Sequence, residues 1–192
     1  MELLEYLSGY FLTEAALLDA CAATAAELAE LQSRGVMPRA SYRLGVAIDC
    51  ESTFGPHAER HALSFYAKGY ASWLGAVRGM SAGDAFALFC ARYRRAPGGG
   101  AGSDEHLRSE WASFLDGTYG LCTRTGLPEE IVAKETAMVA ITALVESPSP
   151  DRAKLAAAVD QLDRASSPFA PHERARSSRQ RLVNEVRRRY QL

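Results

Sequence analysis

Potential metal ligands and acid/base groups are densest between Asp49 and His61, in the run Asp-Cys-Glu-Ser-Thr-Phe-Gly-Pro-His-Ala-Glu-Arg-His. His57 and His61 stand four residues apart, a spacing that on a helix lets two imidazoles share one metal, with Cys50 or a neighbouring acid completing the set. A helical projection of the following residues weighs against this use. Both histidines then point away from the apolar stripe Leu63, Tyr66, Tyr70 and Trp73, so exposed histidines on a polar face are favoured. No metal site is favoured, and His57, His61 and Cys50 stand as the alternative set.

Glu59 projects onto the stripe itself, where a carboxylate needs a cation or a hydrogen-bond donor, or has its pKa raised. Glu59 with Tyr66 and Tyr70 is therefore the first candidate for a polar pocket, since a carboxylate beside phenols can serve as a general acid or base. An ion pair with Arg39, Arg43 or Arg60 is the commoner use of such an acid.

The glycine-bracketed joint Asp116–Arg124 presents Tyr119, Cys122 and Arg124, and joints of this kind often line pockets. Tyr119 completes the candidate catalytic set, while Arg39, Arg43, Trp73 and Arg124 are the candidate ligand-binding residues. Cys122 has no histidine at a telling spacing and reads as an idle thiol. Cys21 and Cys90 lie among apolar helical residues and read as core fillers. No CxxC pair, P-loop, GxGxxG, GxSxG or HExxH pattern is present, so the cofactor, if one is used, is unknown.

These residues must be positioned by a chain of 192 residues with 47% hydrophobic and 23% charged residues, the size and composition of one globular domain. Thr13 caps a helix to about Ala22, and Thr24 with Glu27 makes the T-x-x-E box of a second helix ending at Gly35. Ser41 to Cys50 alternates like a short strand or wing. Gly55-Pro56 then opens a long helix to about Arg78. Further helices are predicted from Ser81 to Arg95, from Ser103 to near Gly117, from Pro128 to Glu146, from Pro150 to Ala165 and from Pro171 to Tyr190. The fold class is mainly α: a helix-turn-helix-like N-terminal section with a wing (1–50), packed on a helical body (51–192) with a flexible glycine-rich loop at 96–103.

The net charge of −1 offers no general attraction to nucleic acid or an anionic membrane. Residues 1–45 hold three basic against six acidic side chains, −3, and a recognition helix carrying Glu27 and Glu30 would repel phosphates. DNA is thus a disfavoured partner, and a peptide, carrier domain or subunit suits the same shape better. Residues 171–192 run the other way, with seven arginines against Glu173 and Glu185, a basic C-terminal helix that is solvated or docks on an acidic partner. The N-terminus has no basic leader and no apolar run of the ~18 residues a membrane span needs, so the cytoplasm is the expected location.

The segments FLTEAALLDAC, ELAELQSRGVMPRASYRL, FGPHAERHALSFYAKGYASWL and DGTYGLCTRTGLPEEIVAKE resemble an uncharacterised bacterial family described as natural-product biosynthesis proteins. The resemblance spans roughly Tyr6 to Glu146. It implies a role in secondary metabolism, as an enzyme or accessory subunit acting on a small or carrier-bound metabolite or with a partner biosynthetic protein, and transfers no catalytic residue. A transcriptional regulator using the N-terminal helices and a protein-binding scaffold are the alternatives from other classes.

Overall fold

The computed structural model describes residues 2–100 and 102–192 and is mainly α. The N-terminal section runs α1 (Glu2–Tyr10), β1 (Phe11–Thr13), α2 (Glu14–Cys21), α3 (Ala25–Ser33), β2 (Tyr42–Ser52) and β3 (Gly55–Ala67). The three antiparallel strands lie in the order β1-β3-β2. Local chemistry sets the two helices as their sequences suggest: Thr13 Oγ1 accepts from Ala16 N and Thr24 Oγ1 from Glu27 N.

The long helix expected from Pro56 to Arg78 is not formed. Its first half is β3, and only α4 (Tyr70–Val77) is helical. Register explains the difference: β2 and β3 pair from Tyr42↔Phe65 to Ser52↔Gly55, and Gly55 takes the positive φ of 112° that the turn at their tip requires. Residues 57–65 read His, Glu, His, Leu, Phe at alternate positions, a period-2 pattern that the partner strand selects over helix propensity. Pro56 is tolerated because β1 covers β3 only at Phe65–Ala67, leaving its outer edge open at Pro56. The three strands together reach Ala67, past residue 50.

The body contains α5 (Ala82–Arg95), α6 (Asp104–Leu115), α7 (Thr118–Cys122), α8 (Pro128–Glu146) and α9 (Arg152–Ala165). The C-terminal segment departs from one continuous helix: a 3₁₀ turn at Arg174–Arg176 and a π turn at Gln180–Asn184 precede α10 (Glu185–Tyr190). Ser81 and Ser103 cap α5 and α6 as expected. The central core gathers Tyr70, Trp73, Phe89, Leu107 and Phe114, with Trp73 and Phe114 ring centroids 4.8 Å apart. A second cluster joins α8 and α9 to the C-terminal segment through Ile141, Leu155, Leu162 and Val183.

The stretch Leu115–Leu127 packs against both the N-terminal section, at Arg39, Ala40 and Ala67, and the start of α4, at Gly69 and Tyr70. Gly69 N donates to Thr125 O at 3.1 Å and Arg39 N to Leu115 O at 2.9 Å. Gly126, at φ 79°, lies so close to Tyr70 that a Cβ there would stand 2.6 Å from the ring. This segment is a structural clamp, and Tyr70 is the residue it grips.

Candidate functional site

Three helices and a short fourth bring partnered polar groups to one side of the body. α5 contributes Tyr93 on the same face as Phe89. α6 contributes His106 and Glu110, one turn apart. α7 brings Tyr119, and α8 brings Lys134 and Glu135. Tyr93 Oη donates to Glu135 Oε2 and lies 2.9 Å from His106 Nε2, while His106 Nε2 is 3.8 Å from Glu135 Oε1. Tyr119 Oη donates to Glu110 Oε2.

Two adjoining depressions share Glu135 and Val139. One, of about 410 Å³, is lined by Tyr93, His106 and the glycines 98–100 and 102. The other, of about 300 Å³, is lined by Glu110, Tyr119, Ile131, Lys134 and Met138.

Hydrogen-bond arithmetic fixes direction in this cluster. A phenol has one proton, and Tyr93 gives it to Glu135, so the bond from His106 must run the other way, with Nε2–H donating to the phenol oxygen. The result is a relay from imidazole through phenol to carboxylate. Burial, then the hydrogen bond to Glu135, pushes the Tyr93 hydroxyl well above the ordinary phenol range; burial, then Glu110, does the same to Tyr119. Both tyrosines therefore remain proton-bearing donors.

Of the residues singled out in the sequence, Tyr119 alone lies in this cleft. The expected grouping of Glu59 with Tyr66 and Tyr70 is corrected: Glu59 sits on the exposed part of β3, its Oε2 3.2 Å from His61 Nε2 and 3.7 Å from His57 Nε2. The reason is the strand itself. Seven residues separate Glu59 from Tyr66, which puts them on one face of a helix but on opposite faces of a strand.

Tyr70 is fully buried, with its hydroxyl set toward Gly120 and Ser41, and Trp73 is fully buried with Nε1 donating to Val36 O at 2.9 Å, so both are enclosed in the core. Tyr66 is brought together with Arg39 and Arg43 at a separate polar recess of about 270 Å³, which Glu14 and Gln32 complete. Arg124 is exposed, 3.5 Å from the Asp163 carbonyl.

Cys50 and His57 are directly opposed across the hairpin, and His61 faces Val46. Among the described residues no group of three or more His, Cys, Asp or Glu is placed to hold a metal. The basic C-terminal segment spends part of its charge within the chain: Arg187 bridges Asp160 and Asp163, both at 2.7 Å, and Arg179 also pairs with Asp163.

Tyr93, His106, Glu110 and Glu135 were not singled out from the sequence. The faint signals were a polar tip at the end of the Ala85/Phe89/Tyr93 face and a His/Glu pair at i, i+4 flanking Leu107. Neither is distinguishable locally from an ordinary helix surface.

Fold and site together define a mainly α protein with a three-stranded N-terminal section and a polar cleft in its helical body. Residues 85–191 match the model of a family of unknown function, DUF6058, and the chain belongs to that family. All five cleft residues, Tyr93, His106, Glu110, Tyr119 and Glu135, fall within the matched stretch; the three strands lie outside it. No curated protein and no solved structure matches the chain. No described helix is long and apolar enough to cross a membrane.

Proposed function

We propose that the protein acts on, or holds, a small or carrier-bound metabolite in the cleft between α5, α6 and α8, as an enzyme or accessory subunit of bacterial secondary metabolism. The observation that carries the reading is the Tyr93 hydroxyl set between His106 and Glu135 at an open depression. In this proposal His106 and Glu135 exchange the proton and Tyr93 couples them. Tyr119 and Glu110 hold a polar group of the ligand in the adjoining depression. The metabolic setting comes from the resemblance and is part of the same proposal.

The reading is tested with the low-molecular-weight fraction of a bacterial host extract. Thermal stabilisation of the wild type is expected, and its loss in Tyr93→Phe and Glu135→Gln. Equal stabilisation of all three proteins would remove the relay from the function.

A second reading is favoured by the order α1-β1-α2-α3-β2-β3 with the sheet arranged β1-β3-β2, which supports a winged helix-turn-helix section. Its charge argues for a protein partner over DNA. Residues 1–67 hold four basic against nine acidic side chains, −5, and the outward positions of α3 are Ala25, Ala26, Ala29, Glu30 and Ser33, with no basic side chain among them. No retention on duplex DNA is expected even at low salt; salt-dependent binding would restore the regulator reading.

A further inference from the structure

Among the described residues β2 is an edge strand with no strand beyond it, and it runs for eleven residues, Tyr42–Ser52. Alternate residues of such a strand turn their N–H and C=O groups outward, which makes a long open edge a template for another strand. Apolar side chains stand on one face of the same hairpin: Ile48 is 41% exposed and Leu63 37%. Between this face and Leu3 and Leu4 of α1 lies an open cleft of about 760 Å³. β1 supports the sheet only at Phe65–Ala67, so the rest of the hairpin is a two-stranded ribbon, a form that is marginal in water without a further partner.

We infer that a second copy of this chain pairs with β2, antiparallel, about a two-fold axis through Ala47. The strand is complementary to itself in this register and on both of its faces. On the apolar face Val46 of one copy meets Ile48 of the other and Leu44 meets Cys50. On the polar face Arg43 meets Glu51, twice by symmetry. Arg43 and Glu51 are exposed, and neither has an ion-pair partner among the described residues.

The other open edge does not serve. Pro56 on β3 has no N–H to give, and a two-fold axis at Glu59 or Arg60 would set like charges opposite each other. Pairing at β2 makes a four-stranded sheet, β3-β2-β2-β3, whose two central strands share one apolar row, Leu44, Val46 and Ile48 from each copy.

Sedimentation equilibrium of the full chain tests this. The wild type is expected to associate to twice its 20.8 kDa mass. Glu51→Arg, which sets arginines against each other on both sides of the axis, is expected to weaken association by about tenfold or more. The double exchange Arg43→Glu with Glu51→Arg is expected to restore it, which a misfolded hairpin would not allow. A wild type that stays at 20.8 kDa across the concentration range overturns the inference. So does a dimer indifferent to Glu51→Arg, or a loss of association that the double exchange fails to rescue.

Discussion

From α1 to β3 the chain carries four basic against nine acidic side chains, −5, whereas residues 68–192 carry eighteen against fourteen, +4. The two sections also differ in what their charged groups touch. On the hairpin, Glu59, His57, His61, Arg60 and Asp49 are exposed and their contacts run from 3.2 to 3.9 Å, the weak and screened kind. In the body, Tyr93, Glu135, Tyr119 and Glu110 are locked in hydrogen bonds beside clefts, and Asp163 is held between two arginines. The difference teaches that density of reactive residue types along the chain is a poor guide to a site. The richest run, Asp49–His61, is spread over an exposed ribbon, while the cleft is assembled from residues up to 42 positions apart.

The comparison can be broken most forcefully at the core of the body. Trp73→Ala is expected to cost about 3–5 kcal/mol, whereas Ile48→Ala on the hairpin is expected to stay within about 0.5 kcal/mol; urea unfolding of each checks this. Comparable losses would mean that the hairpin is as integral as the core.

Smaller, and dependent on pH, is the contribution of Asp163. Burial alone would raise its pKa, but the hydrogen bonds and charges of Arg187 and Arg179 outweigh burial and hold it below the ordinary range. A carboxyl depressed in the folded state contributes stability above its unfolded pKa of about 3.9 and loses it as the pH falls through the folded value. Asp163→Asn is expected to cost about 1–2 kcal/mol at pH 7 and progressively less as the pH falls below the unfolded pKa, as read from urea midpoints along that range. A pH-independent difference would show that packing, and not the ion pairs, fastens the C-terminal segment to α9.

The caps and turns that frame these regions were legible because their chemistry is local. Thr13, Thr24, Ser81 and Ser103 each bond a backbone N–H three residues on, and Pro128 begins α8 at the residue the sequence suggests. β3 was not legible, because Gly55–Ala67 satisfies a helical and an alternating pattern together and only pairing with β2 decides between them. The error then passed to the site: Glu59 was grouped with Tyr66 and Tyr70 by a period of 3.6 that the backbone does not have there. Tyr119 was reached from its glycine-rich setting. Its neighbours in the cleft could not be, since their proximity depends on how α5, α6 and α8 pack.

Thr24→Ala sharpens the local part of that account, with about 1 kcal/mol expected from the lost bond to Glu27 N and a matching drop in the thermal midpoint. No drop would mean that tertiary packing holds the start of α3 unaided. The smallest effect is expected at Glu59→Gln, within about 0.5 kcal/mol, since its carboxylate is exposed and its partners are exposed histidines.

The central claim, that ligand chemistry belongs to the body cleft and not to the hairpin, is tested most directly by native against denatured mass of protein purified gently from a bacterial host. The wild type and Glu59→Gln are expected to retain the same small-molecule mass, and Glu135→Gln to lose it. A wild type with no retained mass, or retention that survives Glu135→Gln and vanishes in Glu59→Gln, would contradict the account.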